Sequence, residues 1–206
     1  MLRSDDGRLV RGRRSRARIL AAARELFHEH GFDGATLRAI AARAGMGTSS
    51  IYRHVRSKEE LLVEELAARQ EEAWRRFRAA DERRRPVRER LLDFFALQHA
   101  LLSEDADLTT IALRALTHPE ARVARRVLAL HDRTIGLLAE ILQSARSHGD
   151  LARETDLLVA ARALFHAALG ARIAWANGLL SAEGCASSIA SSVELLFRGL
   201  EPKPSR

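Results

Sequence analysis

A chain of 206 residues with 47% apolar and 30% charged residues is long enough to bury a sizeable core and too apolar for a disordered tail. No apolar stretch approaches the ~20 residues that span a bilayer, the first residues hold no apolar signal core, and the single Cys185 excludes an intrachain disulfide framework; the expectation is a cytoplasmic protein with no membrane partner. The net charge of +7 is uneven, with 13 Lys/Arg against 7 Asp/Glu in residues 1–60 and 21 against 20 in the rest. A basic end on a nearly neutral body suits a polyanionic partner, although a solvated basic face explains the charge alone equally well.

Ala, Leu, Arg and Glu dominate, β-branched and aromatic residues are sparse, and the fold class expected is all-α with about nine helices. Residues 1–12 read as a flexible basic leader. A first helix follows from about Ser15 to His30, with Ile19, Ala23, Leu26 and Phe27 on one face. Gly31 ends it in a left-handed cap, and Phe32 can pack back. Thr36 caps a short second helix carrying Leu37, Ile40 and Ala41, which stops before Gly45. A third short helix spans roughly Thr48 to His54. Ser57-Lys58-Glu59-Glu60 reads as a capping box that opens a helix to about Ala80. Further helices are expected from Pro86 to Leu102, from an Asp107 cap to Thr117, from Pro119 to Gly149, from Thr155 or Asp156 to Gly178, and from a Ser181 cap to Arg198. Residues 201–206 read as a tail.

Residues 36–55 carry the most information. Two short helices meet across the tight turn Gly45-Met46-Gly47, and Ile40, Ala41, Met46, Ile51 and Val55 can form one small core. This is the anatomy of a helix-turn-helix, whose second helix enters the DNA major groove. Thr48, Ser49 and Ser50 lead that helix, where small hydroxyl side chains permit close approach to bases and phosphates. An ordinary helical hairpin has the same spacing. Arg11-Gly12-Arg13-Arg14-Ser15-Arg16 lies in reach of an adjacent minor groove, or is simply solvated.

The block Thr36-x-Arg38-x-Ile40-Ala41-x-x-Ala44-Gly45, followed by Ile51-Tyr52-Arg53-His54-Val55 and Ser57-Lys58-Glu59-Glu60-Leu61-Leu62, resembles the TetR family of bacterial transcriptional regulators. The preceding helix matches as well, so the resemblance covers residues 13 to 66. It implies a helix-turn-helix domain over 13–60 and a helical effector-binding and dimerisation domain over 61–200. It also implies that Thr36, Ser50, Tyr52, His54 and Lys58 meet phosphates, while Thr48, Ser49 and Arg38 read bases. Arg38 has the fork to grip guanine in bidentate fashion. Three departures stand out: Gly47 replaces the usual small polar residue at the start of the recognition helix, Ser49 a frequent glycine, and Val55 a common phenylalanine. The implied partner is a palindromic double-stranded DNA operator, and the implied role is a ligand-released repressor.

Polar and aromatic residues interrupt the apolar helices of the second part: Phe94, Phe95, Gln98 and His99, then His131, then Phe165 and His166, and Trp175, with Phe94, Phe95, Gln98, His99 and Trp175 foremost. They are the candidate lining of a cavity for a small apolar or aromatic effector. Leu157, Ala161, Leu164, Ala168 and Ala171 on the penultimate helix, with Ile189, Val193 and Leu196 on the last, form apolar stripes. The stripes suit an intrachain core as well as an interface; the family resemblance favours a homodimer seam. No metal or cofactor is expected, because His28 and His30 point to different faces and no cysteine cluster or Gly-rich phosphate loop occurs. Catalysis is not expected. Two rivals are retained: an architectural DNA-binding protein without an effector, and a helical-bundle enzyme.

Overall fold

A computed structural model describes residues 4–117, 119, 121–149 and 151–200. Among these residues there are nine helices and no strands: α1 Ser4–Gly34, α2 Leu37–Arg43, α3 Thr48–Ile51, α4 Lys58–Ala80, α5 Val87–Ser103, α6 Ala106–Thr117, α7 Ala121–His148, α8 Leu157–Ala176 and α9 Ala182–Leu200. The chain divides into two compact units, Met1–Glu65 and Leu66–Arg206, and the division falls within α4.

Two expectations about the first helix need correction. It begins at Ser4 rather than Ser15, so residues 4–12 are helical and not a loose leader; no proline interrupts the stretch. Residues 1–3 and 201–206 lie outside the described residues. The helical path breaks at Gly31, whose φ of 69° and ψ of 173° form a positive-φ conformation open to glycine but not the left-handed helical cap expected. Phe32 then folds back on Phe27, with ring centroids 5.5 Å apart.

Capping explains most other boundaries. The Asp156 carboxylate accepts from Leu158 N and Val159 N at 3.0 and 3.1 Å to open α8, and Ser181 Oγ accepts from Gly184 N at 3.0 Å to open α9. The cap of α6 is Asp105, which accepts from Leu108 N at 3.2 Å, and not Asp107. At α4, Ser57 Oγ accepts from Glu60 N, but the Glu60 carboxylate reaches Arg56 N, one residue before the usual partner in a capping box.

In the second unit α8 is the central element, packed against α6, α7 and α9. By length and composition alone α8 would suit a membrane, contrary to the reading that no stretch approaches that length. Its buried face (Ala160, Ala161, Leu164, Phe165, Ala168, Ala171 and Trp175) is part of this unit's core. A buried bidentate pair, Arg90 to Asp81 at 2.7 Å for both bonds, joins α5 to the chain just after α4.

Candidate functional site

In the first unit, Ile19, Ala23, Leu26, Phe27, Ile40, Ala41, Ile51 and Val55 are all buried and form the small core that orients the helix-turn-helix. Thr36 Oγ1 accepts from Ala39 N at 3.1 Å and starts α2. The turn to α3 is a Schellman motif: Met46 N donates to Ala41 O at 2.9 Å, and Gly45 N to Ala42 O at 3.1 Å. Gly45 has a φ of 64°, which the motif requires. Gly47 precedes α3 with no side-chain cap, as its lack of a hydroxyl dictates. The α-helical part of α3 ends at Ile51. Arg53 N and His54 N then donate to Ser50 O and Ile51 O, so the predicted extent to His54 continues as tighter turns.

Burying Ile51 and Val55 turns the other side of this segment outward. Thr36, Arg38, Thr48, Ser49 and Tyr52 are exposed, while Ser50 and His54 are half-buried. Tyr52 is 55% exposed, with its ring and hydroxyl open to solvent. Ion pairs occupy the neighbouring cations. Arg43 bridges Glu25 at 2.9 Å and Glu29 at 2.7 Å, and holds the Glu29 carboxyl below its ordinary range through their hydrogen bond. Arg16 donates to Glu64 at 2.8 Å and is paired with Glu60. Lys58 lies over the Phe32 ring, 4.4 Å from its centroid, and its Nζ donates to Phe32 O at 2.6 Å. That lysine is built into the packing around the first helix's end, a role the sequence reading missed.

The second unit holds a cavity of about 280 Å³ between α4, α5, α6, α7 and α8. Its walls include Leu66, Gln70, Leu113, His131, Phe165 and Arg172. Of the polar and aromatic residues singled out in the sequence, His131 and Phe165 line it, whereas Phe94, Phe95, Gln98, His99 and Trp175 do not. Phe94 is fully buried against Phe77, with centroids 5.3 Å apart. Phe95 borders a separate apolar groove between α5 and α9. His99 stacks edge-on against Trp175 at 5.2 Å, and burial, with Arg172 nearby, lowers its pKa. Gln98 comes closest to the expected role, since its Oε1 accepts from the cavity residue Arg172 at 2.6 Å. His131 lines the wall and packs on Phe165 at 4.9 Å; burial pushes its pKa down. Among the described residues no group of three or more His, Cys, Asp or Glu side chains is placed to hold a metal ion.

The expected dimer seam is corrected. Ala161, Leu164, Ala168, Ile189 and Val193 are at most 2% exposed within one protomer, and Leu157 and Leu196 are half-buried. The first five fill the intrachain core and are unavailable to a partner. The opposite side of α8 is open, with Leu158, Val159, Arg162, Ala163, His166, Ala167 and Gly170 exposed, and Leu195 protrudes from α9. A helix apolar on both faces is ordinarily covered on both.

A two-unit helical chain whose first unit presents a polar recognition helix on a glycine-turned scaffold has the structure of a helix-turn-helix transcriptional regulator. Residues 19–64 match the bacterial regulatory proteins of the tetR family, and the chain belongs to that family. It is 30% identical over 188 residues to the HTH-type transcriptional repressor KstR of Rhodococcus jostii, covering 88% of this chain and 82% of the relative. It is 28% identical over 156 residues to the HTH-type transcriptional regulator UidR of Escherichia coli, covering 76% of this chain and 79% of that one. The fold is shared with the TetR family repressor FadR of Thermus thermophilus, solved in complex with lauroyl-CoA, at a TM-score of 0.71 and 24% identity over 92% of this chain and 97% of that one.

Proposed function

We propose that this chain is a cytoplasmic homodimeric repressor that holds a palindromic operator through two copies of α3 and releases it when a small molecule enters the α4–α8 cavity. The exposed hydroxyl-rich face of α3, backed by the buried Ile51 and Val55, carries the reading. Thr48, Ser49 and Arg38 face base edges, and Thr36, Ser50, Tyr52 and His54 face the backbone. The open face of α8, with Val159, Ala163 and Gly170, supports two-fold pairing of protomers beside Leu195 of α9. The helix α4 is common to both functions. It begins at the helix-turn-helix with Ser57 as its cap, and its Leu66 and Gln70 line the cavity. An effector that binds one α4 setting better than the other shifts operator affinity by that difference.

Sequencing of genomic fragments retained by the purified protein tests this reading. The expected result is one inverted repeat whose half-sites lie about one helical turn apart, or a multiple of it. Retained fragments without a shared motif would favour an architectural DNA-binding protein, and no retention would overturn the reading.

A further inference from the structure

We propose that the cavity takes an apolar organic monocarboxylate whose head group is held by Arg172. The inference deepens the effector-regulated reading above and rests on it. Most of the cavity wall is hydrocarbon from Leu66, Leu102, Leu113, Leu130, Phe165 and Leu169. At about 280 Å³ it lies near the lower end of the roughly 300–1,000 Å³ range of ligand pockets. With roughly 30 Å³ per water-sized atom, it holds on the order of ten heavy atoms.

Among the described lining residues Arg172 alone carries a fixed charge, and it is only 4% exposed. Its Nη2 donates to Gln98 Oε1, a neutral amide, while its Nε has no partner. Gln98 Nε2 is also unpartnered. The nearby thiol of Cys185 is pushed up by burial and supplies no negative charge at neutral pH. Burial lowers Arg172 to about 10, which leaves it protonated at pH 7. Buried charges are ordinarily paired, and here no carboxylate of the protein does so among the described residues. A guanidinium offers a rigid fork that matches a carboxylate. A dianionic phosphate fits less well, because the other titratable wall residue, His131, is held toward its neutral form by burial.

Calorimetric titration of the full-length protein with octanoate and 4-phenylbutanoate, each beside its primary amide, tests the assignment. Octyl phosphate serves as a further ligand, and retention of operator fragments is measured in parallel. At least one acid should bind tenfold or more tightly than its amide. Arg172→Met should abolish that preference while leaving amide affinity unchanged, and Arg172→Lys should keep part of it. Equal binding of acid and amide, stronger binding of octyl phosphate than octanoate, no acid binding at millimolar concentration, or a preference that survives Arg172→Met overturns the inference. If Arg172→Met does not fold, the wild-type acid–amide comparison and Arg172→Lys decide. Protein that retains operator DNA but ignores acids refutes only this inference; protein that binds acids but retains no DNA refutes only the regulatory reading.

Discussion

Two alanines on one helix should respond to the same substitution in opposite ways. Ala163 is exposed on the open side of α8, near Val159 and Gly170, whereas Ala168 is 1% exposed on the side packed within the protomer. The α-helical turn of 100° per residue places them about 140° apart. In a two-fold dimer, Ala163→Glu is duplicated and set beside Val159, Ala167 and Gly170, with only Arg162 and His166 of the same face to offset part of its charge. An unpaired buried charge costs about 3–5 kcal/mol. At 1.4 kcal/mol per tenfold, the dimer dissociation constant should rise at least roughly a hundredfold, with the protomer's melting little changed. Ala168→Glu places the same cost on folding itself, against a total stability of about 5–15 kcal/mol. Sedimentation equilibrium with thermal melts separates the two effects. An Ala163→Glu protein that stays dimeric at micromolar concentration would remove the open α8 face from the interface. An Ala168→Glu protein that melts normally would contradict the assignment of that face to the core.

Other positions make narrower demands. Gly45→Ala forces a Cβ into the left-handed conformation, with no atom within 4 Å to clash; the cost should be the backbone's alone, about 1–2 kcal/mol, with Gly45→Asn milder, and unaltered melting would refute the turn assignment. Lys58→Ala removes the bond to Phe32 O and should lower the stability of the first unit by about 0.5–1.5 kcal/mol without changing the salt dependence of operator binding; a salt slope reduced by about 0.9 with normal melting would instead return Lys58 to a phosphate. His99 and His131 are both pushed down, chiefly by burial, so the unfolded chain binds their protons more readily. Stability should therefore be complete above the ordinary histidine pKa of about 6.5 and fall as the pH drops through their lower folded values. His131→Gln should flatten that acid-side loss in pH-dependent melts, and an unchanged slope would remove His131 as a source.

The helix-turn-helix was legible because its signals are local. The Thr36 cap, the Gly45 turn and the Ser57 cap each act within a few residues, and the structure shows all three making bonds. The stripe expected at the dimer seam is buried within one protomer for a reason that also comes from the sequence. Periodicity finds an apolar stripe, but α8 has two, and nothing local says which one the chain covers itself. Ala161, Leu164 and Ala168 make the cleaner stripe because they are core. The outer face breaks the pattern with Arg162 and His166, whose exposure marks them as outward-facing. The cavity was harder still, since its walls come from five helices and no spacing within one helix encodes them. Yet one clue was present. Between Leu157 and Ala176 there are two arginines and no acidic residue, so neither has an i±4 partner within the helix. Arg162 resolves this by facing outward, but Arg172 faces inward. Among the described residues no other helix supplies Arg172 with a carboxylate either, which is why the proposed acid is placed there.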